Sequence, residues 1–347
     1  MKTKPKVLII YTGGTIGMIK DQETGELKSF DFNHIYKHVP EIHRLNVELS
    51  TFSFEEPIDS SEMNPMRWIQ IAQTIFDNYA HYDGFVVLHG SDTMAFSASA
   101  LSFMLQGLKK PVIFTGSQLP IVTIRTDGKE NLITAIEIAA DKDAQNESIV
   151  QEVAVYFEYS LYRGNRSSKI SANQFEAFAS PNYTELARAG IRIEYNKDKL
   201  FRSELTELKF MAKMDNRVAL LKIFPGFPAD AYKSLFDRNI TKAVVLETFG
   251  AGNAPSDERF RNLISNYIKE GGIVLNTTQC GSGSVQQGKY ETSSFFNKVG
   301  VISGNDMTTE ASITKLMHLL GTEKQQDKII IQLKKPICGE MSTLRND

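Results

Sequence analysis

The segment Lys6–Met18 places an uninterrupted apolar run directly before a glycine-rich turn. Residues Val7–Tyr11 are all apolar, which is typical of a parallel strand covered on both faces. Gly13 and Gly14 let the backbone turn tightly and approach a ligand, and Thr15 adds a hydroxyl to this turn. Ligands of open α/β sheets bind just beyond the carboxyl ends of such strands. The segment therefore predicts both a fold class and the position of a site.

Short apolar strands alternate with longer helical patterns along the chain, which is typical of βαβ units and a parallel sheet. The predicted strands are Val7–Thr12, Gly84–His89, Pro111–Thr115, Val153–Phe157, Arg217–Ile223, Ala243–Thr248, Gly272–Asn276 and Gly300–Ser303. The predicted helices are Met66–Tyr79, Thr93–Leu108, Asp127–Ala140, Ser256–Lys269 and Thr309–Leu320. Asn64 and Pro65 predict the N-cap and first residue of the first of these helices.

The charged stretch 195–216 lacks a long apolar run, and a new alternation of strands and helices begins after it. We therefore predict a larger N-terminal α/β domain over residues 1–195, which carries most candidate catalytic residues. This domain is followed by a linker over residues 196–216 and by a smaller, flavodoxin-like C-terminal α/β domain over residues 217–347. Each domain should be a mostly parallel sheet flanked by helices. The length of 347 residues agrees with roughly two domains.

Composition excludes several classes of function. The net charge of −2 gives no electrostatic basis for binding nucleic acid or an anionic membrane. The first apolar run is too short for a signal peptide or a membrane span. Cys280 and Cys338 have neither a disulfide framework nor metal-ligand spacing around them, and Cys280 is expected to be a buried packing residue. We therefore expect a cytoplasmic protein that binds no metal ion. The sequence contains neither the G-x-G-x-x-G motif nor the P-loop motif, so binding of a dinucleotide or nucleotide is not expected.

Three strand ends carry hydroxyl or carboxylate side chains, and parallel neighbours would bring these ends to one crevice. They are Thr12–Thr15, His89–Thr93 and Thr115–Gln118. A crevice lined with hydroxyls, backbone N–H groups and one carboxylate suits a small polar zwitterion. A hydroxyl nucleophile there needs a base or proton relay, together with backbone donors for the oxyanion.

Each candidate also has a structural interpretation when it is taken alone. Thr15 would be a turn or N-cap residue, Asp92 would be a helix cap, and Lys169 would be an ordinary solvated surface lysine. His89, Ser91 and Asp92 together suggest a hydrolytic triad. Residues so close in sequence at a strand end point in different directions, however, and a triad is defined by geometry.

Taken together, the motifs resemble the bacterial L-asparaginases, particularly their cytoplasmic type I branch. The matching motifs span both domains and are Tyr11-Thr-Gly-Gly-Thr-Ile-Gly-Met18, Asp83-Gly-Phe-Val-Val-Leu-His-Gly-Ser-Asp-Thr-Met94, Tyr162-Arg-Gly-Asn-Arg-Ser-Ser-Lys169, Phe175-Glu-Ala-Phe-Ala-Ser-Pro-Asn182, Phe249-Gly-Ala-Gly-Asn-Ala-Pro255, Thr278-Gln-Cys280 and Asp306-Met-Thr-Thr-Glu-Ala311. The resemblance implies an amidohydrolase that converts L-asparagine to L-aspartate and ammonia. It also implies a threonine nucleophile, an acyl-enzyme intermediate, and neither cofactor nor metal.

The resemblance assigns roles to individual residues. The catalytic positions fall on Thr15 as nucleophile, Ser91 as the second hydroxyl, Lys169 as its activator and Asp92 as the carboxylate that holds the substrate amino group. The substrate-binding positions fall on Ser60, Ser61, Asp92, Ser117 and Asn253. Ser60 would bind the substrate carboxylate, Ser117 would contribute backbone contacts near the leaving amide, and Asn253 would reach the site across the subunit interface of a homodimer or homotetramer.

The chain departs from the family pattern at several positions. Ser91 and Ser61 stand where relatives usually carry threonine and glutamine, respectively. The loop 19–28, expected to act as a mobile lid, has no tyrosine, although many relatives place one there. Glu247 stands where an arginine of an allosteric asparagine site would be expected. A carboxylate cannot replace arginine in holding a carboxylate, so we predict weak or absent allosteric control.

Alternatives to an asparaginase remain open at this level. One is a related amidase, such as the amidotransferase subunit that deamidates glutamine for tRNA-linked synthesis. Another is a non-catalytic sensor of asparagine or aspartate. A weaker side activity on glutamine is also expected, because one methylene in an apolar pocket discriminates by only ~1–3 kcal/mol.

Overall fold

The structure is a computed structural model that describes residues 4–20, 27–29, 35–288 and 291–343. It divides into two compact units, Met1–Ala212 and Lys213–Asp347. The predicted linker 196–216 straddles this division. Its first part bonds within the first unit, for example through the Phe201 N–H to Glu152, and Asp215 N–H bonds to Met317 O of the second unit.

The first unit contains four α-helices and fourteen strands in its described residues, besides short 3₁₀ turns. The helices are α1 Ile35–His38, α2 Pro65–Asn78, α3 Met94–Met104 and α4 Gly128–Ala140. The strands are β1 Lys6–Tyr11, β2 Met18–Lys20, β3 Leu27–Ser29, β4 Glu48–Ser53, β5 Gly84–Leu88, β6 Leu105–Gln106, β7 Val112–Thr115, β8 Val153–Phe157, β9 Ser160–Arg163, β10 Ser168–Lys169, β11 Phe178–Ala179, β12 Ala187–Ala189, β13 Ile193–Tyr195 and β14 Lys209–Phe210.

The main sheet of this unit has the order β13-β12-β9-β8-β7-β5-β1-β4. The five strands from β8 to β4 run parallel, and β9, β12 and β13 extend the sheet in antiparallel fashion. Within β1, Val7, Ile9 and Tyr11 join one core cluster, which includes apolar residues of α4 such as Ile136. Leu8, which alternates with them, is also buried, so β1 is covered on both faces as its apolar run predicts.

The second unit is a four-stranded parallel sheet covered by helices on both faces. Its elements are β15 Val218–Lys222, β16 Ala243–Thr248, α5 Glu258–Lys269, β17 Ile273–Thr278, α6 Glu291–Val299, β18 Ile302–Ser303, α7 Thr309–Thr322 and α8 Gln326–Leu333. Val244 packs in a cluster with Phe260 of α5, whereas its neighbour Val245 packs with Leu316 of α7. The strands follow chain order, β15-β16-β17-β18, rather than the 2-1-3-4-5 order of flavodoxin.

Every predicted strand is present with ends within two residues of the prediction, and the two-domain α/β class is confirmed. Asn64 caps α2 as predicted, because its side chain accepts hydrogen bonds from the N–H groups of Met66 and Arg67. Helix α3 ends four residues before the predicted Leu108. The next residues, Leu105 and Gln106, instead pair with β14, which lies far away in sequence.

Candidate active site

The turn after β1 presents Thr15 at the carboxyl end of the main sheet. Gly13 and Gly14 have φ angles of 137° and 89°, which favour glycine, and Thr15 begins a single 3₁₀ turn, Thr15–Gly17. A Cβ atom on Gly13 would lie 2.3 Å from the carbonyl oxygen of Ile58. Thr15 occupies the first helical position after its N-cap Gly14, so Thr15 is a turn residue and its interpretation as an N-cap is wrong.

The turn after β5 packs directly against the turn that carries Thr15. A Cβ on Gly14 would lie 2.5 Å from Gly90 N, and a Cβ on Gly90 would lie 2.6 Å from Ser60 Oγ. Gly90 itself has an ordinary extended backbone (φ −64°, ψ 141°), so lack of space, rather than conformation, requires glycine here. The turn that carries the predicted nucleophile, the predicted carboxylate binder Ser60 and the Ser91 turn thus meet around Gly90.

Lys169 joins the two polar side chains of the Ser91 turn. Its Nζ lies 2.8 Å from Ser91 Oγ and 2.6 Å from Asp92 Oδ1. Lys169 lies in β10, whose pairing with β11 fixes its backbone. The lysine side chain is only 15% exposed, whereas that of Asp92 is 68% exposed. The Asp92 carboxylate can therefore still meet a ligand from solvent. The interpretation of Asp92 as a helix cap is wrong, because the N-caps here are Gly90 and Thr93. The interpretation of Lys169 as a solvated lysine is also wrong, because its side chain is largely buried.

Ser60 and Ser61 form a 3₁₀ turn that is capped by Asp59. Both the N–H and the hydroxyl of Ser61 donate to Asp59 Oδ1 at 2.9 Å, and these bonds hold the pKa of Asp59 below its usual range. Ser60 is buried, and its carbonyl accepts a hydrogen bond from the Thr93 hydroxyl at 2.7 Å. Thr93 thereby ties the Ser60 turn to the Ser91 turn, whereas the Ser61 side chain is already bonded within its own turn.

The turn after β7 contributes Ser117 and Gln118. Ser117 is buried, and its hydroxyl donates to Leu119 O at 2.5 Å, so its side chain is bonded within its own loop. The loop is held by Asp127, whose carboxylate accepts the N–H groups of Gln118 and Leu119. Burial raises the pKa of Asp127 above its usual range.

Gln118 belongs to the predicted strand end Thr115–Gln118, but neither the residue pattern nor the resemblance assigned a role to it. Its Nε2 donates to the carbonyl oxygens of Gln174 (2.9 Å) and Ala172 (3.4 Å), and its Oε1 accepts from Ser91 Oγ at 3.2 Å. Since two carbonyl oxygens can only accept, they fix which end of the amide faces Ser91. The Ser91 hydroxyl thus accepts from Lys169 and donates to Gln118.

His89 does not form a triad with Ser91 and Asp92. Its side chain is fully buried and bonded to Ser97 and to the Gly90 carbonyl, whereas Asp92 is paired with Lys169. Burial lowers the pKa of His89 to about 4. The histidine side chain points into the protein, as expected for neighbouring residues at a strand end.

Two predicted features lie in the second unit. Asn253 follows β16 and closes a short turn with Phe249, with backbone bonds of 2.9 Å in both directions. Glu247, at 8% exposure, accepts a hydrogen bond from Thr309 at 2.5 Å and lies 3.6 Å from Lys222 Nζ. The role of Asn253 across a subunit interface stays a prediction, as do the other individual catalytic and binding roles.

Two further predictions concern Cys280 and the lid. The prediction of a buried Cys280 is wrong. This cysteine is exposed in the turn after β17, where its N–H bonds to Thr278 Oγ1. Residues 21–26 of the loop predicted to be a lid lie outside the described residues.

Two other kinds of site are absent from the part of the chain that the structure describes. No group of three or more His, Cys, Asp or Glu side chains in residues 4–20, 27–29, 35–288 and 291–343 could hold a metal ion. Across the same ranges, every helix is too short or too polar to span a bilayer.

Lys169, Ser91 and Asp92 are linked beside the Thr15 turn within the first unit, and comparison with known families identifies the class of the protein. The family model "Asparaginase, N-terminal" matches residues 6–201, and the model "Glutaminase/Asparaginase C-terminal domain" matches residues 217–330. The chain therefore belongs to the asparaginase family.

Individual relatives match over nearly the whole chain. It is 40% identical to L-asparaginase 1 of Escherichia coli K12 over 342 residues, which is 98% of each chain. The crystal structure of L-asparaginase I from Vibrio cholerae superposes with a TM-score of 0.89 at 37% identity, covering 98% of this chain and 100% of that one. One subunit of the glutamyl-tRNA(Gln) amidotransferase of Pyrococcus furiosus is 34% identical, over 92% of this chain and 73% of that protein.

Proposed function

We propose that this chain is an L-asparaginase, which hydrolyses L-asparagine to L-aspartate and ammonia with Thr15 as nucleophile. The observation that carries this proposal is the contact of Lys169 with Ser91 and Asp92, whose turn packs against the Thr15 turn. Full-length similarity to L-asparaginase 1 of Escherichia coli supports the choice of substrate.

The exposed carboxylate and the buried hydroxyl support different parts of substrate binding. Asp92 has an open face and carries negative charge, which suits the α-ammonium group of an amino acid. Ser60 lies beside Gly90, between the other two turns, and would receive the α-carboxylate. A substrate held at these two points would direct its side-chain amide towards Thr15.

The chemistry then requires a path for one proton. Attack of Thr15 Oγ on the amide carbon forms a tetrahedral adduct, and the hydroxyl proton passes to the Ser91–Lys169 pair. The same pair delivers the proton to the amide nitrogen, whose bond to carbon breaks, so that ammonia leaves and a β-aspartyl ester remains. Water then hydrolyses the ester, which releases aspartate and restores the Thr15 hydroxyl.

Ammonia release tests this proposal directly. Wild-type protein should release ammonia from L-asparagine, and Thr15→Ala should abolish this while still binding L-aspartate in a calorimeter. Thr15→Ser is the matched control, because it keeps a hydroxyl and should retain measurable turnover. A wild-type protein that binds aspartate but releases no ammonia would show that it is a sensor instead.

A second candidate function is favoured by the similarity to the amidotransferase of Pyrococcus furiosus. The matching protein is longer than this chain, since the match covers 73% of it. An amidotransferase role predicts that glutamine, rather than asparagine, is the better substrate and that tRNA increases turnover. Measuring kcat/KM for both amides with and without tRNA separates the two functions. An asparaginase should prefer asparagine, with weaker glutamine turnover and no response to tRNA.

Regulation by a second asparagine molecule is proposed to be weak or absent. The Glu247 carboxylate already has partners in Thr309 and Lys222, and its charge opposes a ligand carboxylate. The rate should therefore rise hyperbolically with asparagine concentration. A sigmoidal curve in the wild type that persists in Glu247→Gln would refute this assignment.

We also propose a homodimer or homotetramer in which Asn253 completes the site of a neighbouring subunit. Mixing Thr15→Ala with Asn253→Ala protein tests this, because only hybrid oligomers would contain a site with both residues intact. Activity that exceeds the sum of the two variants supports sharing, and its absence in verified hybrids contradicts it. Neither Cys280 nor Cys338 forms a disulfide, which supports the proposed cytoplasmic location, and cell fractionation tests it.

A further inference from the structure

A continuous chain of buried hydrogen bonds runs from α2 to the turn that carries Ser91. The indole Nε1 of Trp68 lies 2.9 Å from Ser97 Oγ, which lies 2.8 Å from His89 Nε2. The other ring nitrogen, Nδ1, lies 2.7 Å from the carbonyl oxygen of Gly90. Trp68 is 5% exposed, and Ser97 and His89 are 0% exposed. Since the proposed reaction does not use His89, its burial and its bonds at both ring nitrogens need another explanation.

The direction of every bond in this chain is determined by its two ends. The Gly90 carbonyl can only accept, so His89 Nδ1 must carry the proton, and the indole N–H of Trp68 can only donate. In the neutral ring, Nε2 is then an acceptor, and the Ser97 hydroxyl donates to it while accepting from Trp68. Trp68 and Ser97 therefore select one tautomer of His89.

This series of hydrogen bonds ends at the carbonyl of Gly90, the residue around which the site turns pack. Gly90 is followed by Ser91, and its N and Cα lie where a Cβ on Gly14 would need space. A Cβ on Gly90 would in turn lie 2.6 Å from Ser60 Oγ. The Gly90 carbonyl belongs to the peptide unit that joins Gly90 to Ser91. A tilt of this peptide unit would therefore displace Ser91 relative to the turns of Thr15 and Ser60.

We infer that His89 is a positioning residue, whose Nδ1–H holds the Gly90 carbonyl and thereby keeps the Ser91 and Thr15 hydroxyls in register. Ser97 and Trp68 act through His89 by fixing its tautomer. Burial keeps the pKa of His89 near 4, so the ring stays neutral at neutral pH and the chain keeps one polarity. This inference rests on the proposed function for its effect on rate, but the tautomer does not depend on it.

Nitrogen NMR of the wild-type protein tests the tautomer without any substitution. With ¹⁵N-labelled histidine, His89 should show a protonated Nδ1 and an unprotonated Nε2 at neutral pH. His89→Asn identifies the resonance by its disappearance. A protonated Nε2, or a mixture of tautomers, would overturn the inference whether or not the protein hydrolyses asparagine.

A pair of substitutions tests the effect on catalysis. Asparagine places its amide nitrogen near the position of Nδ1, and glutamine places it near Nε2. His89→Asn should keep kcat within about threefold of wild type, whereas His89→Gln should lower kcat at least about tenfold, since only the first keeps a donor to Gly90. Ile75→Val, a buried change on α2, is the control for loss of stability alone.

Each outcome of this comparison decides the inference. Rescue by asparagine but not by glutamine, at similar melting temperatures, supports positioning. Two variants that lose kcat only in proportion to their melting temperatures, as Ile75→Val would, show a structural role and overturn it. Full activity in both also overturns it. If wild-type protein releases no ammonia, the proposed function fails, and the tautomer measurement still stands by itself.

Discussion

Replacing Gln118 with alanine tests whether the orientation of the Ser91 hydroxyl limits turnover. Ser91 lacks the β-methyl group of a threonine, so its χ1 rotation is less restricted. In this chain the hydroxyl is held from both sides, by Lys169 at 2.8 Å and by Gln118 at 3.2 Å. We expect Gln118→Ala to free the hydroxyl and lower kcat. The same change should matter less in Ser91→Thr, where the added methyl restricts the rotation.

The size of the effect follows from the geometry of one bond. A neutral hydrogen bond contributes about 0.5–1.5 kcal/mol, and 3.2 Å is long for a hydroxyl donor. We therefore assign about 0.5–1 kcal/mol to the Ser91–Gln118 bond, which corresponds to a fall in kcat of about two- to fivefold. Gln118→Ala also removes the hydrogen bonds from Gln118 Nε2 to the carbonyls of Ala172 and Gln174, which should lower kcat further. This second decrease in kcat should be equal with serine and with threonine at position 91.

Steady-state ammonia release from asparagine gives kcat and KM for the four proteins of this double-mutant cycle. Asn173→Ala is the control, because Asn173 lies between the two residues that Gln118 Nε2 contacts, Ala172 and Gln174, and its side chain is exposed. A coupling free energy of about 0.5 kcal/mol or more between positions 91 and 118 is expected. Equal losses in the Ser91 and Ser91→Thr backgrounds would refute the reasoning, because the effect would then come only from the loop.

Three further perturbations have defined outcomes. Gly90→Ala places a Cβ 2.6 Å from Ser60 Oγ and should raise KM for asparagine in steady-state assays; an unchanged KM would contradict binding by Ser60. Lys315→Met removes the cation 2.6 Å from the fully buried Glu340, which keeps the N–H groups of Ile337 and Cys338 as its hydrogen-bond donors. The free energy of unfolding should fall by about 3–5 kcal/mol in urea titrations, whereas a loss below about 1 kcal/mol would refute this. The pKa of His89 is about 4 in the folded protein and 6.5 in its ordinary state, so the unfolded chain binds the extra proton first and stability falls as pH falls below 6.5. From pH 7 to pH 5 wild type should lose about 2 kcal/mol more than His89→Asn in the same titrations, and equal losses would contradict the assignment.

The buried parallel strands could be predicted because their signal is local. Val153–Phe157 and Ala243–Thr248 are buried on both faces, so nearly every residue is apolar and the ends are found to the residue. The edge strand Glu48–Ser53 was missed because it is half-exposed and polar. The antiparallel extension was missed because strands such as Ala187–Ala189 are short and depend on their partners.

The candidate site divides in the same way. Glycines and hydroxyls at strand ends indicated the turns of Thr15 and Ser91, because parallel strands end at one edge of the sheet. The contacts of Gln118 could not be predicted, since its partners at 172 and 174 lie in a loop more than fifty residues away. The orientation of His89 likewise depends on Trp68 and Ser97, which belong to two different helices.

The meeting of three turns at Gly90 also has a consequence for folding kinetics. The turns follow β1, β4 and β5, which are parallel neighbours, and parallel pairing requires long crossover connections that form slowly. A slip of one residue between β1 and β5 would move Gly14 about 3.3 Å along Gly90. Gly14 and Gly90 could not accommodate such a shift, because they are so close that a Cβ atom on Gly14 would lie 2.5 Å from Gly90 N. Activity regained during refolding therefore measures only those molecules whose central strands have paired in the native register.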